Sequence, residues 1–209
     1  MTMIVSVAAF DVDNTLTVRD CVVPFMRSVA GAGRLFRVML SDLGTTIHSV
    51  RRRDRDALKA KFVQGIFSGR DAREVEALGI QFAVKVANRW LRDDVATRMR
   101  WHQGQGHVVI LVSASLGAYL HPLGDLLEVD AVLCTEMEEE SGVLTGNLIG
   151  KNCRGEEKVS RVQMWRKEAG IDVQSLVYAY GDSSGDKELL ELFSQPTWVN
   201  DIDLVVLAV

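Results

Sequence analysis

The sequence predicts an α/β protein: a doubly wound, mainly parallel sheet with a block of helices inserted after its first strand. Three observations carry this. Residues 3–10 form an apolar run that stops abruptly at Asp11, as a buried parallel strand does. Residues from about 20 to 100 then keep a helical period of three and four. From residue 107 onward, short apolar runs alternate with helical segments, the pattern of parallel strands joined by crossover helices.

The elements follow in order. "VVPFMRSV" places Pro24 in a first helical turn, where its missing amide costs nothing. Leu35, Met39 (or Val38), Leu43 and Ile47 recur at helical spacing, and Leu58, Phe62 and Ile66 do the same in "DALKAKFVQGIF". Asp71 and Glu74 have the spacing of a capping box, with Asp in place of Ser or Thr, ahead of Val75, Leu78 and Phe82. A further helix begins near Asp93 or Asp94 and stops at "HQGQGH", where glycines allow a left-handed exit. "HVVILVSAS" is a strand, residues 116–127 a helix and "DAVLCTE" a short strand; "GVLTGNLIG" belongs to a hairpin or flap after the acidic run Glu138–Glu140. A helix over 156–169, the strand "SLVYAYGDSS" running into a turn, the helix "DKELLELF" and the segments "PTWVN" and "LVVLAV" complete the pattern. The expected division is an α/β body of residues 1–19 and 101–209 and a helical cap with its return helix over 20–100.

Composition bounds the function. With 209 residues, 47% hydrophobic and 25% charged, the chain has the balance of a soluble globular protein. Cys21, Cys134 and Cys153 make no C-x-x-C pair, which argues against a disulfide framework or a structural zinc site and for a reducing compartment. "MTMIVSVAAF" lacks a basic leader region, and no run nears the roughly 20 apolar residues of a membrane span, so a cytoplasmic location is expected.

The net charge of −4 is uneven: residues 21–100 hold 16 Lys or Arg against 8 Asp or Glu, and the remainder 8 against 20. A basic insert on an acidic body could steer anionic ligands, make peripheral contact with an anionic membrane, or simply solvate amphipathic helices. "RRRDR" at 51–55 is interrupted by aspartate and lacks aromatic interleaving, so it reads as a solvated loop and not a nucleic-acid site. His48, His102, His107 and His121 lack ligand spacing and read as surface or loop residues; Trp90 and Trp101 read as packing.

Three predicted strands end in polar residues: Asp11 with Asp13, Ser113, and Asp182 within "GDSSGD". Ligands of open α/β sheets bind beyond the carboxyl ends of strands. Two aspartates after a strand also suit a turn, and Asp186 suits either a helix cap or the same site. Several carboxylates at one point call for a hard divalent cation, and Mg²⁺ takes such oxygen ligands while leaving room for phosphate. A carboxylate there can attack phosphorus while a second, protonated one donates to the leaving oxygen.

"DVDNT" matches the D-x-D-x-T motif of the haloacid dehalogenase superfamily, and the other motifs follow in order: Ser113 ending a strand, Lys158 heading a helix, and "GDSSGD". The helical insert resembles the cap of the phosphoserine phosphatase-like branch. The resemblance implies a Rossmann-like core and a phosphatase working through an aspartyl-phosphate. Asp11 would be the nucleophile and Asp13 the acid and then base. Mg²⁺ would bind Asp11, the Asp13 carbonyl and Asp182, with Asp186 alongside. Ser113 and Lys158 would grip the phosphoryl group, and Arg154 is a second candidate cation. Asp20 stands where phosphoserine phosphatases carry Glu, and "LKAKF" where they carry L-R-x-R-V, making Asp20 and Lys61 the substrate-binding candidates. Ser113-Ala114-Ser115 and Gly185 are further departures. The implied substrate is a small phosphomonoester: phosphoserine, another alcohol phosphate such as histidinol or glycerol phosphate, or a phospholipid head group. The alternatives are a phosphotransferase and a regulatory binding module with a silent site.

Overall fold

The computed structural model describes residues 5–40 and 55–200. Its centre is a four-residue strand, β1 (Val7–Phe10), with every side chain buried. β1 is flanked by β2 (Val108–Leu116) and β5 (Leu176–Gly181), both parallel to it. Adding β3 (Ala131–Glu140), β4 (Val143–Ile149) and β6 (Gln195–Trp198) gives six strands in the order β4-β3-β2-β1-β5-β6. Among the described strands the β3–β4 pair alone is antiparallel, a hairpin closed by Ser141 and Gly142, both at positive φ. β3 is longer than the short strand expected, because its outer half pairs with β4 after leaving β2.

Helices cover both faces. Between β1 and β2 run α1 (Val22–Leu40), α2 (Arg55–Phe67), α3 (Ala72–Arg89) and α4 (Asp93–Gly104). α5 (Gly117–Leu126) follows β2, and α6 (Glu156–Glu168) and α7 (Lys187–Leu192) flank β5. Strand alternation divides the core. Ala8, Phe10, Val109, Leu111 and Tyr180 pack on the α1, α3, α4 and α5 side. Val7, Ala9, Ile110, Val112 and Ala179 pack against α6 and α7 residues such as Val162 and Leu189. Each large side chain buried this way contributes on the order of 1.5–3 kcal/mol.

Local signals act largely as expected. Asp71 caps α3 by accepting from the Glu74 amide at 3.0 Å, and Gly106 leaves α4 at φ 70°. α1 differs: Gly31, at φ 73°, breaks it into two helical segments, a conformation open to glycine at no steric cost. The apolar repeat continuing through Leu43 and Ile47, and the terminal "LVVLAV", lie outside the described residues, as do Arg51, Arg52, Arg53 and His48.

The histidine expectation needs correction. His102 is fully buried. Its Nε2 lies 2.8 Å from the Tyr180 hydroxyl and its Nδ1 2.7 Å from His107 Nδ1. The α4–β2 turn brings His107 back beside the helix it leaves, a juxtaposition that residue spacing does not show.

Candidate active site

β1 is the point where strand order reverses, since the chain goes to β2 on one side and returns to β5 on the other. Register does the positioning. Phe10 pairs with Leu111 and with Tyr180, so Asp11, Ser113 and Asp182 all emerge within two residues of one line across the sheet. Beyond Phe10 the chain makes a tight turn over Val12–Leu16, with Asn14 left-handed and the Thr17 amide bonded back to the Val12 carbonyl at 2.9 Å. This turn sets Asp13 beside Asp11 without extending the strand.

Lys158, on the first turn of α6, is buried between two carboxylates. Its Nζ is 2.6 Å from Asp11 Oδ1 and 2.6 Å from Asp186 Oδ1. Burial works against the ammonium, but Asp11 and Asp186 outweigh it and raise its pKa. Burial pushes Asp11 up to about 7 even beside Lys158. Asp182, raised by burial and by Asp186, accepts from Thr15 Oγ1 at 3.3 Å. Asp186 does not cap α7; its Oδ2 accepts from the amide and hydroxyl of Ser183. Oxygens of Asp11, Asp182 and Asp186 lie within 4.8 Å of one another. One ammonium among three carboxylates leaves net negative charge, so the donor set fits a hard divalent cation.

Asp13 is held apart from that cluster. Its Oδ1 accepts from the Cys21 amide at 2.8 Å and its Oδ2 from Ser115 Oγ at 2.6 Å. Ser115 in turn accepts from the Tyr119 hydroxyl at 2.6 Å. Burial, aided by Asp20, raises Asp13 to about 6, while Ser115 and Cys21 resist the rise. Ser113 Oγ accepts from the Ser115 amide at 3.1 Å, which leaves its proton free for an anion.

Asp11, Asp13, Ser113, Lys158, Asp182 and Asp186 line a cleft of about 460 Å³ that also touches Val22, Met26, Leu58, Phe62, Asp20 and Arg154. Asp20 is exposed there and accepts from the Val23 amide at 3.3 Å, at the start of α1. Lys61 does not line the cleft; Lys59, two residues earlier, does. Its Nζ donates to the Ala114 carbonyl, to Asn152 Oδ1 at 2.8 Å and to Thr135 Oγ1 at 3.2 Å. Burial lowers it to about 8. Two residues along a helix point to different sides, so the two basic positions of "LKAKF" face differently. Sequence reading missed Ser115 and Tyr119 as supports of Asp13. The period of two along β2 puts Ser113 and Ser115 on one face and was the available signal.

Residues 8–191 match the model of the haloacid dehalogenase-like hydrolases. The chain belongs to this family. As a haloacid dehalogenase-like hydrolase it is 35% identical over 185 residues to Protein CicA of Caulobacter vibrioides, covering 88% of this chain and 81% of that one. It is 34% identical over 102 residues to a histidinol-phosphatase of Neisseria meningitidis, covering 47% of this chain and 46% of the relative. Among solved structures it is similar to a protein of unknown function from Bordetella pertussis, with a TM-score of 0.70, 23% identity and coverage of 92% and 89%. A phospho-aspartyl intermediate analogue of phosphoserine phosphatase superposes with a TM-score of 0.59 at 18% identity, covering 90% of this chain and 83% of that one. These two likenesses establish the shared fold: the Rossmann-like core with a helical insert after β1.

Proposed function

We propose that this hydrolase is a Mg²⁺-dependent phosphomonoester phosphatase acting through an aspartyl-phosphate on Asp11. One observation carries the reading: a buried and a half-buried aspartate, Asp11 and Asp13, stand at one strand end in different electrostatic settings. Asp11 is paired with the Lys158 ammonium at 2.6 Å, whereas Asp13 accepts from the Ser115 hydroxyl and the Cys21 amide. Contact with Lys158 favours the ionised form of Asp11, the form that attacks, and a divalent cation on the same carboxylate would favour it further; Asp13 does not share that ammonium and keeps the role of acid.

In the proposed reaction, Asp11 attacks phosphorus and the phosphorus–oxygen ester bond breaks. Asp13 gives its proton to the departing alkoxide. Water then attacks the acyl phosphate while Asp13 takes the water's proton, and inorganic phosphate leaves with Asp11 restored. Lys158 and the Ser113 hydroxyl hold the phosphoryl oxygens, where preorganised donors stabilise developing charge. Asp11, the Asp13 carbonyl and Asp182, with Asp186 alongside, would hold Mg²⁺, whose charge would offset that of the phosphate. The cleft's size and mixed apolar and charged walls support a small alcohol as leaving group.

The test is phosphate release from an aryl phosphate with and without Mg²⁺, by the wild type and Asp11→Asn. The expected result is Mg²⁺-dependent release, one phosphate per ester cleaved, reduced by about 10³-fold or more in the variant. Activity of Asp11→Asn within tenfold of wild type would falsify the covalent route. Ester cleavage without matching phosphate release would point to transfer onto another acceptor.

A further inference from the structure

A second groove, of about 860 Å³, runs between the start of α3, α5 and the β3–β4 hairpin, and shares no lining residue with the catalytic cleft. At its base three chemically different donors converge. Cys134 and Glu136 are two residues apart on β3 and share a face of the strand. His121 comes from α5, one turn after Gly117. His121 Nε2 is 2.8 Å from Glu136 Oε1, Cys134 Sγ is 3.0 Å from the same oxygen, and sulfur and ring nitrogen are 3.7 Å apart. Gly117 gives the carboxylate its seat, because a Cβ there would stand 2.2 Å from Glu136 Oε2.

We propose that His121, Cys134 and Glu136 form a binding site for a zinc-type transition-metal ion, with the fourth position open to the groove. Zinc bonds of about 2.0–2.3 Å to N, O and S require ligand atoms about 3.3–3.8 Å apart in a tetrahedron. The three donors approach that triangle and reach it by small side-chain rotations. Imidazole with thiolate selects zinc-like ions over Mg²⁺, which demands oxygen donors. His121 and Glu136 line the groove and are partly exposed, so an ion can enter from solvent, and Cys134 is buried behind them. The Cys134 thiol donates to Glu136, so loading an ion releases the thiol proton to solvent. An ion here ties β3 to α5, the helix that carries Tyr119 and through it supports Ser115 and Asp13.

Sequence spacing shows none of this, because the histidine and the cysteine belong to different elements and no C-x-x-C or H-x-x-H pair exists. The test is titration of the full chain with Co²⁺ in excess Mg²⁺, followed by near-ultraviolet absorption. A thiolate-to-cobalt charge-transfer band saturating at one ion per chain, and bleached by Zn²⁺, is expected. Cys134→Ser should abolish the band and Cys153→Ser should retain it. His121→Gln, at a half-exposed position, should weaken binding by at least the roughly 10–100-fold that outer-shell partners alone are worth. The proposal fails if the folded wild type shows no band, if the band survives Cys134→Ser, or if His121→Gln binds Co²⁺ as tightly as wild type.

Discussion

Asp13 shows how a single carboxyl is tuned by opposing forces. Burial and the charge of Asp20 favour its protonated form, while hydrogen bonds from Ser115 and the Cys21 amide favour the ionised one. A balance near 6 suits the proposed role, in which the same group gives a proton in one step and takes one in the next. Ser115→Ala removes a donor that stabilises the carboxylate, so the Asp13 pKa should rise. The expected outcome is kcat lower by about tenfold, KM little changed, and the pH–rate profile displaced to higher pH. Tyr119→Phe, one bond further away, should shift the profile in the same direction by less. Asp13→Asn makes a sharper prediction: alkyl phosphates should lose far more activity than aryl phosphates, whose leaving groups need no proton. Equal losses on both would assign Asp13 a purely positional role.

At the scale of elements, the insert is stitched back to its point of departure. Thr17 and Leu91 form an antiparallel bridge, the Val18 amide donates to the Trp90 carbonyl and the Arg92 amide to that of Leu16. Trp90 is covered by Arg19 and Lys85, at 4.7 and 4.9 Å from the ring centroid. Lys59 adds a tie from α2 to the Ala114 carbonyl beside the site, so cleft shape depends on how α2 sits. α3 meets α5 through Gly79, where a Cβ would stand 1.9 Å from the Ala118 carbonyl oxygen. Backbone cannot rotate away as a side chain can, so Gly79→Ala should destabilise the fold by about 1–3 kcal/mol. That corresponds to a Tm lower by several degrees, roughly 2–4 °C per kcal/mol at this chain length. Gly104→Ala, where a Cβ meets nothing within 4 Å, is the control and should leave Tm unchanged or slightly higher.

Across the whole molecule, pH and salt act through groups other than the site carboxylates. His102 is buried among Arg98, His107, Tyr178, Tyr180 and Phe10. Burial, with Arg98 and His107, lowers its pKa from 6.5 to about 3. Between those two values the unfolded chain binds a proton that the folded chain refuses, so this group removes stability as pH falls through the window. His102→Gln should therefore lose less Tm than wild type between about pH 7.5 and pH 5. Equal losses in both proteins would assign the acid sensitivity elsewhere. The basic balance of residues 21–100 over an acidic remainder predicts a second global effect. If it steers anionic substrates, kcat/KM should fall with ionic strength while kcat stays level, since screening acts on encounter. A flat kcat/KM leaves those charges as solvation of the helices.

The sequence by itself determined the alternation of strands and helices, the helical insert after β1, and the arrival of Asp11, Ser113 and Asp182 at one sheet edge. Each of these rests on short-range periodicity and on polar residues that interrupt apolar runs, which a linear reading captures. Only the tertiary structure decided that Lys59 and not Lys61 lines the cleft, and that Ser115 and Tyr119 hold Asp13. It alone buried His102 and brought His121 from a helix to Cys134 and Glu136 on a neighbouring strand. Those relations depend on side-chain direction and on contacts between elements far apart in the chain. They arise where packing, and not residue spacing, sets which groups meet.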